Sequence, residues 1–191
     1  MNPVILYGSR YGSAKRYAEA LGEREGIPVL PFQQAADLDR FDTILYIGSL
    51  YAGRVTGLSK TMRRKDCAGK RIIILTVGLA DGEKEKNAVN IRNHIRKQIP
   101  EEIFEKAEIF HLRGDIDYRK LSFVHRQMMK FLCRQLSKIP PEKRDEDTQY
   151  LISTYGGKVE LFDPGRLDQI RKKIKSGSDS GSGDKSPDFK E

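Results

Sequence analysis

Residues 4–23 read VILYGSRYGSAKRYAEALGE, and they hold a strand, a turn and the beginning of a helix in one short stretch. The apolar run Val4–Tyr7 is typical of a buried strand. A turn rich in glycine and serine follows, and helical spacing of apolar residues then predicts a helix over Ser13–Glu25, which ends at Gly26. A strand that passes through a small-residue turn into a helix indicates an α/β fold if the same alternation continues along the chain.

The alternation does continue. Arg71–Val77 (RIIILTV) is almost continuously apolar, which is typical of a central parallel strand covered on both faces. Ile27–Phe32 contains two prolines, so we expect this strand at an edge of the sheet. The other predicted elements are the strands Thr43–Gly48, Ala107–Leu112 and Val159–Phe162, and the helices Thr56–Lys65, Glu83–Gln98, Arg119–Ser137 and Gly165–Lys175. The pattern predicts one α/β domain over residues 1–175, with a doubly wound, five-stranded parallel sheet.

Composition narrows the class of protein. The 191 residues are enough for one well-buried domain, and no stretch approaches the roughly 18 apolar residues of a membrane span. Cys67 and Cys133 are isolated, the histidines lack metal-ligand spacing, and the first residues lack a secretory signal. We therefore expect reduced thiols, no metal site and a cytoplasmic location. The Gly/Ser/Asp-rich residues 176–191 are predicted to form a disordered tail.

Positive charge is the most informative part of the composition. The chain carries +8 and residues 176–191 carry −2, so the preceding domain carries +10, which favours acidic partners. Nucleic acid is not expected among them, because the cations are spread over several helices. The sequence also lacks a helix-turn-helix, zinc-finger or RNP signature.

The predicted helix within residues 119–138 concentrates part of this charge, at Arg119, Lys120, Arg126, Lys130, Arg134 and Lys138. Apolar residues at positions 121, 124, 128, 131/132 and 136 predict a stripe that faces the core, with Phe123 and Met129 outside it. Two interpretations remain open. The helix is either a crossover with a solvated basic face, or a dock for an acidic protein or for the anionic inner face of a membrane.

Ligands in parallel α/β sheets bind beyond the carboxyl ends of the strands. Three loops rich in small residues are expected at that edge, at residues 8–13, 48–54 and 76–82. In the first loop, Gly8 and Gly12 permit close backbone approach and positive φ, and the amides at the helix N-terminus suit an anion. This loop alone fits a plain turn as well as a binding site. Three such loops at one edge predict a pocket for a flat, phosphorylated ligand.

These loops resemble those of the flavodoxin-like family. Ser9–Ala14 is similar to the family's phosphate loop, of the type Ser/Thr-x-x-Gly-x-Ser/Thr, and Ile47–Gly53 is similar to the loop that lies along the flavin ring. The long helix after Leu112-Arg113-Gly114 and the later Glu146-Asp147-Thr148 resemble the branch that includes menaquinone-dependent protoporphyrinogen oxidase. The resemblance extends from residue 3 to about 174. It implies a flavodoxin-like fold with FMN at the carboxyl edge of the sheet.

The resemblance also implies which residues hold the cofactor: Ser9, Arg10, Tyr11, Gly12, Ser13 and Ala14 around the phosphate, Ser49, Leu50, Tyr51, Ala52 and Gly53 on one side of the ring, and Gly78, Leu79 and Asp81 on the other. Ala14 departs from the family pattern, which has a hydroxyl there. One phosphate hydrogen bond, worth about 1–3 kcal/mol if it is charge-assisted, is then missing unless Ser13 replaces it. A second interpretation of Asp81 is a carboxylate that caps a helix or a loop.

Three functions are consistent with this resemblance. The first is an FMN-dependent oxidoreductase that passes electrons from a protoporphyrinogen-like substrate to a quinone. The second is a flavodoxin-type electron carrier that serves a redox partner protein, an acidic one in view of the charge. The third is a basic interaction domain that has lost its flavin. In the first two cases the chemistry belongs to the flavin.

Overall fold

The computed structural model describes residues 2–179 of the chain. Its strands, in chain order, are β1 (Pro3–Gly8), β2 (Val29–Pro31), β3 (Thr43–Tyr51), β4 (Arg54–Val55), β5 (Arg71–Gly78), β6 (Glu108–Arg113), β7 (Ile116–Asp117) and β8 (Lys158–Val159). Five of them form a parallel sheet in the order β2-β1-β3-β5-β6. The parallel sheet is confirmed, with the proline-containing strand at one edge and the most apolar strand in the interior.

Helices cover both faces of this sheet. They are α1 (Ser13–Glu25), α2 (Leu58–Met62), α3 (Glu85–Arg96), α4 (Glu101–Lys106), α5 (Phe123–Ser137), α6 (Glu146–Thr154) and α7 (Pro164–Asp179). Alternate residues of each central strand point to opposite faces. One set packs with α2, α3 and α4, and the other set packs with α1 and α7. The fold is therefore doubly wound, as the sequence predicts.

The strand register brings the three small-residue loops together. Gly8 is paired with Gly48, and Gly48 is paired with Thr76, so β1, β3 and β5 end side by side. A side chain would not fit at Gly8 or at Gly48. A Cβ at Gly8 would lie 2.0 Å from the carbonyl oxygen of Thr56, and one at Gly48 would lie 2.3 Å from Val55. These glycines let Val55 and Thr56 pack closely on β1 and β3.

Several elements differ from their sequence prediction. The sequence pattern predicts no helix over α6, which has no apolar stripe. In the structure this helix buries none of its residues completely. Its N-cap is Asp145, whose carboxylate accepts a hydrogen bond from the Thr148 amide at 2.8 Å. The strand predicted over Val159–Phe162 is only the short β8, which pairs antiparallel with β7. α7 extends beyond Lys175 to Asp179, and the rest of the predicted tail lies outside the described residues.

The orientation predicted for α5 is wrong. Its buried residues are His125, Met129 and Cys133, whereas Val124 and Phe131 are each 63% exposed. The stripe prediction assumes that the apolar side of a helix faces the core. Instead, α5 lies beyond the carboxyl edge of the sheet. It packs on α6 and on a small cluster built from Ile116, Tyr118, Leu121 and Val159. This cluster covers only a narrow strip of the α5 surface.

Candidate functional site

A cavity of about 520 Å³ lies where the loops meet, within the range of roughly 300–1,000 Å³ typical of small-molecule sites. Most of the predicted site residues line it, namely Tyr11, Ser13, Ser49, Leu50, Tyr51, Ala52, Gly53, Gly78 and Leu79. Met128, Phe131 and Leu132 of α5 form another wall. Because these α5 side chains are apolar, the cavity suits a ligand with a large apolar surface.

Three of the remaining predicted site residues, Ser9, Arg10 and Gly12, belong to the first loop. Gly12 lines an adjoining cavity of about 250 Å³, together with Tyr11 and Ser13. The Ser9 hydroxyl accepts a hydrogen bond from the Gly12 amide at 3.1 Å, and Arg10 is exposed.

Ala14 and Asp81 lie away from the cavity. Ala14 is completely buried on the α1 face of the core. The carboxylate of Asp81 accepts from the Glu83 amide at 3.0 Å, and its carbonyl oxygen accepts from the Asn87 side chain at 2.9 Å. Through these contacts Asp81 stabilises the turn that leads into α3.

The N-terminus of α1 offers free donors beside the cavity. Gly12 has φ 101° and nothing within 4 Å of where a Cβ would be, so the backbone there is open. Within residues 2–179, the amides of Ser13, Ala14 and Lys15 donate no hydrogen bond. Unpaired amides at the positive end of a helix dipole favour an anion such as a phosphate.

The Ser13 hydroxyl is already engaged. It accepts from the Asp115 amide at 3.1 Å and donates to the Asp115 carbonyl oxygen at 3.3 Å. It therefore holds α1 against the segment after β6. A phosphate at this loop would rely on backbone amides, because Ser13 does not replace the hydroxyl that Ala14 lacks.

The second predicted loop is a tight hairpin. β3 continues to Tyr51, Ala52 and Gly53 make a two-residue turn with φ of 47° and 76°, and β4 pairs back antiparallel. A Cβ on Gly53 would lie 2.5 Å from the His94 ring of α3. The wall of the cavity on this side is therefore a short, closely packed hairpin.

An aromatic cluster joins α5 to both loops. The His125 ring stacks on the Tyr51 ring with centroids 3.9 Å apart, and the Tyr11 hydroxyl lies 2.5 Å from Nδ1 of His125. The Tyr11 hydroxyl also accepts from the Ser122 amide at 3.2 Å. His125 is absent from the predicted site. The i, i+4 spacing of Leu121, His125, Met129 and Cys133 is the sequence signal that would have placed it on the buried side of α5.

Burial shifts the pKa values of two side chains in this cluster. Burial raises the pKa of Tyr51 to about 12, with a smaller contribution from the neighbouring Tyr11. Burial also lowers the pKa of His125, and the positive charge of Arg10 adds to that effect. At neutral pH, Tyr51 is therefore a protonated phenol. Among the described residues its buried hydroxyl has no hydrogen-bond partner, so it has an unused donor.

A second cavity, of about 470 Å³, adjoins the first and shares Leu79 and Leu132 with it. Arg113, at the end of β6, is the cation in its wall. Its Nε is buried without a hydrogen-bond partner within the described chain, and its Nη2 donates only a long bond, 3.4 Å, to the carbonyl oxygen of Leu79. Asp147 in the same wall is satisfied by Lys84 at 3.0 Å and Asn87 at 2.8 Å. The Arg113 guanidinium also lies over the Tyr150 ring, 5.6 Å from its centroid, so Arg113 has an aromatic contact but unused hydrogen-bond donors.

Comparison with known protein families gives a match over most of the chain. A family model described as "Flavodoxin domain" matches residues 4–143. The solved structures that this chain matches include a putative flavoprotein from Bacteroides uniformis, with 14% identity over 68% of this chain and 97% of that one, and a TM-score of 0.41. A flavodoxin from the domain Archaea has 14% identity over 80% and 95%, with a TM-score of 0.38. A point mutant of the Pseudomonas aeruginosa flavodoxin has 16% identity over 72% and 97%, with a TM-score of 0.40.

No curated protein matches the sequence significantly. The family assignment therefore rests on the sequence match, which covers more than two thirds of the chain. The chain belongs to the flavodoxin domain family.

Proposed function

We propose that this domain binds FMN at the carboxyl edge of its sheet and uses it for redox chemistry. The observation that carries the proposal is the juxtaposition of a mostly apolar cavity with the unpaired amides at the N-terminus of α1. A phosphate and a flat ring joined by a chain need that combination of anion site and apolar slot. Family membership supports the same ligand.

The residues present fit this cofactor. The amides that follow Gly12 would hold the phosphate, and the Tyr51 hairpin and the Gly78–Leu79 segment would line the ring. FMN, when bound, would supply transfer of one or two electrons. The protein would exclude water through the apolar side chains of α5 and could direct the unused Tyr51 hydroxyl to a polar atom of the ligand.

We propose further that the domain is an oxidoreductase rather than a carrier, with a reduced tetrapyrrole-like donor and a quinone as acceptor. The second cavity supports an enzyme, because a carrier that exchanges electrons at its surface does not need space for a further small molecule. The resemblance of Glu146-Asp147-Thr148 and the long helix to the protoporphyrinogen oxidase branch supports this donor class. The domain's charge supports the alternative, a carrier that docks on an acidic redox protein.

FMN binding can be tested with a pair of glycine substitutions at opposite ends of α1. Gly12 and Gly26 both have positive φ and open space at the Cβ position, so Gly12→Val and Gly26→Val should each strain the backbone at one end of α1. We expect fluorescence titration with FMN to show binding to the wild type and to Gly26→Val. Gly12→Val should weaken binding at least tenfold, because its side chain and altered backbone disturb the phosphate amides.

A purified protein that neither releases FMN on denaturation nor takes it up would contradict the flavin proposal and favour the interaction domain. If FMN binds, turnover separates enzyme from carrier. We expect protoporphyrinogen oxidation with a quinone and no added protein. Electron transfer that requires an acidic partner protein would instead identify a carrier.

A further inference from the structure

The exposed side of α5 combines apolar and basic side chains. Phe123 is 74% exposed, and Val124 and Phe131 are 63% exposed each. With 3.6 residues per turn, Val124, Met128, Phe131 and Leu132 fall along one side of the helix. Exposed large apolar side chains are common singly, but a row of them on one helix marks an interaction surface.

Cations occupy the adjoining side of the same helix. Arg126, Lys130 and Arg134 follow one another at intervals of four residues, and all three are exposed. Residues 119–138 contain six Lys and Arg residues and no Asp or Glu. Among the described residues, Arg119 forms an ion pair with Asp117, whereas Lys130 and Arg134 form none.

We infer that this face of α5 docks the domain on an anionic lipid surface. A helix that lies at a membrane interface has apolar side chains beside a row of cations. The apolar side chains insert among the acyl chains, and the cations lie at the lipid phosphates. The charge argues against a second copy of the chain as occupant, because two such faces would place like charges together. Within the described residues no helix is long and apolar enough to cross a bilayer.

The position of the helix gives the contact an orientation. Met128, Phe131 and Leu132 line the 520 Å³ cavity and are also exposed, so they form its rim. Docking through α5 therefore turns this rim toward the lipid. The orientation is independent of which cofactor or substrate the cavity holds.

The first test is sedimentation with vesicles of phosphatidylcholine alone or with ~30% phosphatidylglycerol, at ~0.05 M and ~0.5 M salt. We expect salt-sensitive binding to the anionic vesicles only. Each cation near the surface contributes about fivefold, so Lys130→Glu with Arg134→Glu should weaken binding at least tenfold. The matched control is Arg63→Glu with Lys97→Glu, two exposed cations outside α5, which should bind like the wild type.

The second test concerns the apolar part. Phe123→Ser with Phe131→Ser should reduce vesicle binding at least fivefold, whereas Val89→Ser, at an exposed apolar position of α3, should not. Because the chain has no tryptophan, Phe131→Trp supplies a unique reporter. Its emission should shift to the blue with anionic vesicles, and that of Val89→Trp should not.

Circular dichroism and thermal unfolding should show that all variants are folded, since every changed side chain is exposed. Three results would overturn the inference. They are no binding to anionic vesicles at low salt, binding that survives either α5 double substitution, and capture of an acidic protein without vesicle binding.

Discussion

At the scale of single residues, removal of the Tyr51 hydroxyl separates an effect on FMN binding from an effect on the stability of the fold. It is buried without a partner, so Tyr51→Phe should leave the free energy of unfolding unchanged or raise it by up to about 1 kcal/mol. Tyr46, on the same strand, is the control. Its hydroxyl donates to the Thr56 carbonyl oxygen at 2.6 Å, so Tyr46→Phe should cost about 1–2 kcal/mol. Urea unfolding measures both effects.

The same Tyr51→Phe variant reports on the ligand. If FMN accepts the unused hydrogen bond, its affinity should fall by about tenfold while the protein stays as stable as the wild type. A Tyr51→Phe protein that is destabilised by more than 1 kcal/mol would show instead that the hydroxyl has a partner within the folded chain.

At the scale of elements, Asp115 ties the segment after β6 to the C-terminal part of the chain. One carboxylate oxygen accepts from the amides of Leu161 and Phe162 at 2.7 and 2.8 Å, and the other pairs with Arg16 at 3.2 Å. Asp115→Ala leaves both amides unpaired and should cost about 2–3 kcal/mol in denaturant unfolding. Asp115→Asn keeps one acceptor oxygen and should cost less.

The comparison for this change is Asp168→Ala, which removes exposed contacts to Arg24 and Arg171. We expect it to cost less than about 1 kcal/mol. Equal costs for Asp115→Ala and Asp168→Ala would contradict a structural role for Asp115.

Elements also differ in how far the sequence determines them. The bounds of α1 are predictable because glycines with positive φ stand at both of its ends. The apolar stripe of α5 does not predict which side of the helix is exposed. His125 is buried because it forms a hydrogen bond with Tyr11, and the apolar residues of the stripe therefore face solvent. The sequence pattern also does not predict the hairpin after Tyr51. Alanine at the first turn position carries a weaker signal than the asparagine or aspartate usual in such turns.

At the scale of the whole molecule, stability should be uneven. Two large clusters cover the sheet, whereas α5 and α6 rest on a smaller third cluster built around Ile116 and Met129. We expect hydrogen exchange to show lower opening free energies for α5 and α6 than for β3 and β5. Because His125 contacts both tyrosines of the candidate site, added FMN should slow exchange in α5. Uniform protection would mean that the domain opens as one unit.

The contact between Gly53 and the His94 ring has an evolutionary consequence. No side chain fits at position 53 while an imidazole packs against it, and the positive φ penalises other residues independently. In related sequences, glycine should therefore persist at position 53 wherever the hairpin is retained. Position 94 should vary only among residues with flat or short side chains, which do not clash with the turn. Substitutions at positions 53 and 94 should therefore be correlated in related sequences.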